Sequence, residues 1–328
     1  MTNTIFDLLR ILDEAGLGSP VAGNVISERL GVSRTTVWKY VNLLREMGYV
    51  IDASPKTGYV LKKRSRLLLP YEIKRYLETK EIGQDMHHFT QVMSTNTLAR
   101  QMMSEVGCEV QSGTVLVAEH QTGGSGRMHR MWESPEGGIW GTIVLKPKIG
   151  VDQAFLIMVA ASLALAKAIR NDFGLSALIH WPNDVFIGDK KVAGTRLELA
   201  TQADDVRYCL LSIGVDVNIA VERTLPGMSD VVTSLSDELG YEVERAKFFA
   251  HFLKEFERRY NMILMDEADA LLLEWRSLSH TLHRRVRIRT LRACFDGEAI
   301  GIDDDGALLV RTEEGDLERV ITGECTLI

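Results

Sequence analysis

One stretch near the middle of the chain limits what it can fold into. Residues 114–118 (TVLVA) and 139–145 (IWGTIVL) alternate β-branched and apolar side chains and read as strands. Between them the segment 119–140 carries Gly123, Gly124 and Gly126, then Arg127, His129 and Arg130, then Trp132. Three glycines in four positions bear no core, but they can bring backbone N–H groups close to an anion. Arg127 and Arg130 add forked, permanently charged donors, and Trp132 offers a flat face for a stacked ring. No helix opens behind the glycines, their spacing is not a dinucleotide fingerprint, and no Gly-Lys-Ser/Thr follows as in a P-loop. The residues point to a nucleotide site of another kind. The plainer alternative is a long hairpin connection with solvated arginines.

The 328 residues, 45% of them apolar, can bury a sizeable core over two or three domains. The net charge of −7 excludes an overall basic nucleic-acid binder, yet it is unevenly spread. Residues 1–66 carry ten Lys/Arg against six Asp/Glu, a local +4, and the remainder is −11. Only the front end is expected to meet a polyanion. Cys108, Cys209, Cys294 and Cys325 form no CxxC pair, which indicates neither a metal site nor a disulfide framework; reduced, buried thiols are expected. The N-terminus lacks a basic region ahead of an apolar run, and no apolar run approaches the ~20 residues of a membrane span. A cytoplasmic protein without membrane contact is expected.

At the front, Phe6, Leu8, Leu9, Ile11 and Leu12 recur at helical spacing and stop at Gly16. Val25, Ile26 and Leu30 define a second helix ending at Gly31. Ser33 is placed to cap a third, 34–46, with Val37, Val41, Leu43 and Leu44 as its apolar face. A short Gly-Val-Ser turn between the last two gives a helix-turn-helix, and two strand-like runs around 53–57 give a winged hairpin with Lys56 at its tip. In such a module the third helix enters the major groove, so Arg34, Thr35, Thr36, Lys39 and Tyr40 are the expected DNA-binding residues. A single module makes few phosphate contacts, which predicts a homodimer on paired half-sites. The alternative is a winged helix used for protein contacts only. Residues 1–63 form this domain and 64–86 read as a linker, with the basic run KKRSR at 62–66 across the boundary.

From about residue 87 the pattern is mixed α/β, with Ser94-Thr95-Asn96 ahead of a helix through Ala99, Met102 and Val106. Ser94 or Thr95 can cap that helix, or all three polar side chains can face a ligand. A long apolar helix spans 152–171, and Trp181-Pro182-Asn183-Asp184 fall in a turn between strands. Beyond 281, short strands separated by turns suggest a small SH3-like barrel over 281–328. The expected class is α+β.

These motifs taken together resemble the bifunctional biotin–protein ligases that also repress a biotin operon. The ordered set is Ser94-Thr95-Asn96, Gln121 through Pro135, Trp181 to Asp184, Lys191 to Gly194 with Glu198, and 214–218, behind a matching winged helix. The likeness implies a central 87–280 domain of the class II synthetase-like kind. It also implies ATP, Mg2+ and biotin, a biotinyl-5′-AMP intermediate, transfer to a lysine of a biotin carboxyl carrier protein, and operator DNA with the adenylate as corepressor. By resemblance, Ser94, Thr95, Asn96, Gln121, Ser125, Gly126, Arg127 and Lys191 contact biotin, and Trp132, Asn183 and Asn218 the nucleotide. Arg127, Lys191 and Asp184 carry the chemistry, Asp184 holding either the carrier lysine or the metal.

Several positions depart from the family pattern. Ser125 lies among the loop glycines, and His129 replaces a glycine at a position that need not approach the ligand. His180 stands where a lysine is common and would bring less positive charge to the reacting carboxylate. Asp216 and Arg196 replace a glycine and an aliphatic residue; an ion pair across neighbouring strands is the expectation. The alternative function is a ligand-sensing winged-helix regulator with lost ligase activity, or with a different carboxylic acid.

Overall fold

The computed structural model describes residues 2–105, 109–127, 130–202, 205–290 and 293–328, with the side chains of residues 2 and 3 left aside. His129, Cys108 and the expected helix end at Val106 lie outside the described residues. The chain divides into two compact units, Met1–Arg75 and Tyr76–Ile328.

In the first unit α1 (Thr2–Ala15), α2 (Gly23–Leu30) and α3 (Arg34–Glu46) surround a core of Leu8, Leu9, Ile26, Val37, Val41 and Leu44. Ser33 caps α3 as expected, its hydroxyl accepting from the Thr36 N–H at 3.1 Å. Gly31 closes α2 at φ 63, the left-handed conformation that lets the chain turn straight into α3. Leu43, expected on the apolar face, is exposed instead, because it falls on the side of α3 turned away from Val37, Val41 and Leu44. The wing is β2 (Val50–Ser54) paired antiparallel with β3 (Gly58–Lys63), and β1 (Pro20–Val21) adds an unforeseen third strand. The stretch expected as a linker is divided between the units. α4 (Pro70–Lys74) packs its Ile73 inside the first unit, and Glu72 there accepts from Tyr49 at 2.8 Å and pairs with Arg64 and Arg75.

The second unit is built on a seven-stranded sheet in the order β4-β5-β6-β10-β9-β8-β7. Its strands are β4 (Met86–Val92), β5 (Val115–Gln121), β6 (Ile139–Leu145), β7 (Ala177–His180), β8 (Asp184–Ile187), β9 (Lys190–Gln202) and β10 (Asp205–Val215). β4 and β5 are parallel across the helix α5 (Thr95–Ser104), and the remaining pairs are antiparallel. The strands flanking the glycine loop thus pair directly, with Ala118 opposite Trp140. α6 (Phe155–Phe173) follows a 3-10 turn, and thirteen of its nineteen residues are buried. Together they are long and apolar enough to cross a membrane by composition, which the sequence expectation had excluded. Most of that span, 78%, is buried inside the protein against α9 (Arg245–Leu264) and β7–β9, the setting of a core helix. Between β10 and α9 lie two short helices, α7 (Val221–Thr224) and α8 (Leu235–Leu239), and α10 (Ala268–Ser277) follows α9.

The C-terminal strands β11 (Arg285–Arg289), β12 (Cys294–Ile302), β13 (Leu308–Thr312), β14 (Leu317–Val320) and β15 (Glu324–Leu327) form an antiparallel sheet ordered β14-β13-β12-β11-β15, consistent with a small barrel. It docks on the central sheet within the same unit. The Trp181 indole N–H donates to Gly306 O at 3.1 Å, and His180 Nε2 lies 2.7 Å from Cys325 O.

Candidate functional site

A cavity of about 550 Å³ opens over the middle of the central sheet. Eleven of the twelve residues expected in the ligand site line it: Ser94, Thr95, Asn96, Gln121, Ser125, Gly126, Arg127, Trp132, Asn183, Asp184 and Lys191. They come from six separate elements, so a helix N-terminus, a hairpin loop, the turn ahead of β8 and three strands converge on one space.

At one end of the cavity the polar side chains point inward. Ser94 starts α5 without a side-chain cap hydrogen bond, which rules out the capping role for it. Thr95 spends its hydroxyl on Gln121 Oε1 and Thr142, at 3.1 and 2.9 Å, and its N–H on Gln121 Oε1 at 2.8 Å. Gln121 Nε2 then donates to Ser134 at 3.1 Å, and Asn96 Nδ2 to Ser212 at 3.1 Å. These buried hydroxyls and amides hold each other in fixed orientations, a preorganised set for a small polar head group.

The floor is made of glycine. Gly194 on β9 and Gly214 on β10 are directly opposite, and the Trp132 indole lies on them. A Cβ at Gly214 would meet three indole atoms at 3.0–3.2 Å, and one at Gly194 would meet Asp184 Oδ1 at 2.8 Å. Lys191 Nζ is 2.6 Å from Asp184 Oδ2 and 4.5 Å from the centre of the Trp132 ring, a salt bridge and a cation–π contact on one ammonium. Trp132 thus covers a bare backbone surface of the sheet.

Arg127 crosses the cavity mouth. Its guanidinium donates to Asn183 Oδ1 at 3.0 Å, Thr322 Oγ1 at 3.0 Å and Gly323 O at 3.2 Å, and burial draws its pKa below the usual arginine value. Arg130 pairs with Glu324. The glycine loop is thereby tied to the C-terminal sheet at two points. Asn183 does not merely satisfy its own turn, since its amide also binds Asp184 and Thr195 O. The loop itself is a distorted hairpin: Gly126 N–H bonds to Arg130 O and Gly123 N–H to Met93 O, both at 2.8 Å. Those two N–H groups are spent, so the glycines serve close packing more than an anion nest. At Gly124 a Cβ would sit 2.4 Å from Trp132 O.

Other expectations are corrected. Asn218 is absent from the cavity wall because its amide is used on the Val243 backbone, at 2.9 and 2.8 Å. His180 also lies outside the wall, buried against Phe186 and Cys325 O, and burial lowers its pKa. The Asp216–Arg196 ion pair does not form: Arg196 pairs with Glu198 at 3.4 Å, and Asp216 Oδ1 has no hydrogen-bond partner. The two residues sit four positions apart along the register, with Arg196 opposite Ser212. Cys294 is exposed rather than buried, while burial raises the pKa of Cys209 and Cys325 to about 12; all three thiols are free. Gly194 and Gly214 lie in the sequence motifs without an assigned role there, and Ser212 is missed from sequence; all three line the cavity and share one signal, small residues at alternate or opposed positions on facing strands.

Chain comparisons agree with this geometry. Residues 89–218 match the biotin/lipoate A/B protein ligase family, residues 5–60 an HTH domain, and residues 281–327 the biotin protein ligase C-terminal domain. The bifunctional ligase/repressor BirA of Bacillus subtilis is 36% identical over 310 residues, covering 94% of both chains. The chain belongs to the bifunctional biotin ligase/repressor family. The protein of the same name from Escherichia coli is 26% identical over 93% of this chain and 92% of its own. Among solved structures, the Aquifex aeolicus biotin protein ligase in complex with biotin and ATP superimposes with a TM-score of 0.64 at 25% identity. That match covers 75% of this chain and 99% of the other.

In this ligase/repressor the first unit presents α3 outward. Arg34, Thr35 and Lys39 are exposed on it. Thr36 is half-buried with its hydroxyl 2.9 Å from the Ser33 hydroxyl, and Tyr40 is half-buried against the core, so both support the helix. Trp38, not anticipated, stands 54% exposed between Arg34 and Lys39. Helical spacing could have revealed it, since residues 34, 35, 38, 39 and 42 share the face opposite Val37, Val41 and Leu44.

Proposed function

We propose that the cavity joins biotin to ATP and passes the biotinyl group to a carrier-protein lysine, and that the adenylate-loaded protein represses through its winged helix. Biotin ligase and repressor activities are those of its family. The observation that carries the residue-level reading is the convergence of Arg127 and Lys191 on one cavity whose other end is a fixed set of amides and hydroxyls.

In this reading Ser94, Thr95, Asn96 and Gln121 bind the ureido head group, and the apolar tail adds roughly 0.8 kcal/mol per buried methylene. A biotin carboxylate oxygen attacks the α-phosphorus of ATP, the Pα–O bond to pyrophosphate breaks, and biotinyl-AMP remains. Two anions must approach each other, so charge neutralisation in a dry site is the main task. Lys191 supplies it by exchanging Asp184 for the acyl phosphate, and Arg127 by leaving Asn183 and the Thr322–Gly323 turn for the phosphoryl group. Each charged hydrogen bond is worth ~1.5–3 kcal/mol. Trp132 gives the adenine a stacking face. In the second step Asp184 holds the incoming carrier lysine and accepts its ammonium proton, and the neutral amine attacks the acyl carbon. AMP leaves with the bonding electron pair, and the amide nitrogen gives up its extra proton to the phosphate of the departing AMP.

Among the described residues no group of three or more His, Cys, Asp or Glu side chains could hold a metal ion. Mg2+ arriving on nucleotide phosphates needs only one or two carboxylates, and Asp184 is placed to meet it; its chemistry is charge neutralisation. Adenylate binding orders the loop and favours a homodimer, which sets two α3 helices on paired half-sites. Use of ATP and DNA, with Cys209, Cys294 and Cys325 all free thiols, supports a cytoplasmic setting for this activity. The test is pyrophosphate release with ATP and biotin, followed by label transfer to a carrier domain. No release at saturating ligands would end the ligase reading.

A further inference from the structure

At the head-group end of the cavity one carboxylate is shared by two guanidiniums. Glu198, on β9, accepts from Arg100 Nε at 2.8 Å and from Arg100 Nη2 at 2.7 Å, a bidentate pair that engages both of its oxygens. Arg196, two residues earlier on the same face of β9, lines the cavity and stands 3.4 Å from Glu198 Oε2. The carboxylate thus orients Arg196 without saturating it, and the three groups together keep a net positive charge. The other terminal nitrogen of Arg196, Nη1, donates to Ser125 O in the glycine loop at 3.5 Å, the outer limit of a hydrogen bond. Arg100 also donates to Asn96 Oδ1 at 2.9 Å, and Asn96 donates to Ser212, the residue opposite Arg196 in the strand register. One ionic network therefore joins the start of α5, β9 and the glycine loop around the head-group space.

We propose that Arg196 is a positioning residue that closes the glycine loop over the bound acid, by drawing Ser125 O into a full hydrogen bond. The inference rests on the reading of this space as the biotin site. In the empty protein Arg127 and Arg130 tie the loop to the C-terminal sheet, and in the proposed reaction Arg127 leaves those partners for the phosphoryl group. A loop released at that end needs another hold if it is to stay closed. Arg196 supplies it from β9, and its acceptor is a backbone carbonyl. The forked guanidinium makes this possible, since Nη2 keeps Glu198 while Nη1 takes the carbonyl; the ammonium of a lysine is a single point donor. The charged donor also gains strength once the closed loop excludes water.

Three full-length proteins test this: wild type, Arg196→Leu and Arg196→Lys. Biotin association and dissociation are followed by stopped-flow fluorescence, pyrophosphate release is measured against biotin concentration, and trypsin cleavage after Arg130 is timed with and without biotin plus ATP. Arg196→Leu should release biotin roughly tenfold faster with little change in the association rate. Its KM for biotin should rise by a similar factor while kcat holds, because the clamp does not touch the reacting atoms. Biotin with ATP should slow the loop cleavage in wild type and should not slow it in Arg196→Leu. Arg196→Lys should recover part of each loss. Unchanged biotin release in Arg196→Leu overturns the clamp while leaving the biotin site intact. A fall in kcat with trypsin protection kept overturns the loop role as well. Absence of biotin binding by wild type overturns the inference together with the reading beneath it.

Discussion

Asp216→Asn should stabilise the ligand-free protein, by an amount set by pH. The Asp216 carboxyl has an ordinary pKa of 3.8 and is raised to about 8 in the fold, chiefly by burial. A group whose pKa is raised on folding contributes most stability below its unfolded pKa and loses it as pH climbs toward the folded value. At pH 4 the folded chain is protonated there and the unfolded chain only about 60% ionised, so the two variants should differ by no more than about 0.6 kcal/mol. At pH 7 the unfolded aspartate is ionised and folding must take up nearly one proton, at about 1.4 kcal/mol per pH unit. The cost reaches about 4 kcal/mol, a large part of a typical domain's stability. Asn fills the same volume without a proton to take up, so its advantage should grow from at most about 0.6 kcal/mol at pH 4 to about 4 kcal/mol at pH 7 and level off above pH 8. Urea unfolding followed by tryptophan fluorescence suits the measurement, since Trp132, Trp140, Trp181 and Trp275 lie in the second unit and only Trp38 in the first. Parallel stability curves for the two proteins from pH 4 to pH 8 would refute the reasoning, for they would mean that the carboxyl is solvated or paired.

Arg127→Gly should leave the fold intact and speed release of biotinyl-AMP by roughly 10–100-fold, given a charged hydrogen bond at ~1.5–3 kcal/mol; a chase of labelled adenylate with unlabelled biotin checks it. Lys191→Met should abolish pyrophosphate release at any biotin concentration while the chain still folds, read by assay beside circular dichroism. Gly214→Ala should push the Trp132 ring off its floor, because the new methyl would meet the indole at 3.0 Å. Its ATP KM should rise several-fold, with Trp132 fluorescence shifted in the free protein. Trp38→Ala should weaken operator binding by roughly 1–3 kcal/mol, the scale of one base contact, with biotinylation unchanged in the same preparation.

Much of this was legible in the chain, for reasons that differ between its parts. The winged helix could be read because local rules decide it. Ser33 caps, Gly31 turns, and a 3.6-residue period buries Val37, Val41 and Leu44. The cavity residues could be gathered because motif residues such as Gln121 and Lys191 stand at strand ends, where sheet register brings them together. What escaped depends on partners distant in sequence. The amide of Asn218 looks free until Val243, 25 residues away, is folded against it. Arg196 and Asp216 invite pairing on paper, but the register puts Arg196 opposite Ser212 and leaves Glu198 nearer. The long helix was legible but its membrane-span length was not, because Lys167, Arg170 and Asp172 interrupt the apolar run in sequence, whereas in the fold Arg170 and Asp172 bond to Ala177 O and His251.

The distribution of loop contacts says how the site can both retain and surrender its product. Arg127 and Arg130 reach from the glycine loop to Thr322, Gly323 and Glu324, so in the empty protein the C-terminal sheet holds the loop's positive charge. These partners are two neutral acceptors and one carboxylate on a turn, and an acyl phosphate offers stronger acceptors to the same guanidinium. Ligand entry therefore exchanges bonds rather than creating them from solvated arginine, which keeps the net gain modest. A mixed anhydride held in this way is shielded from water while bound. In the proposed reading a carrier lysine displaces AMP from the acyl carbon, and Thr322 and Gly323 can then reclaim Arg127. On that reading the C-terminal sheet competes with the adenylate for Arg127, and the balance between its turn and the phosphate would set how long the adenylate stays.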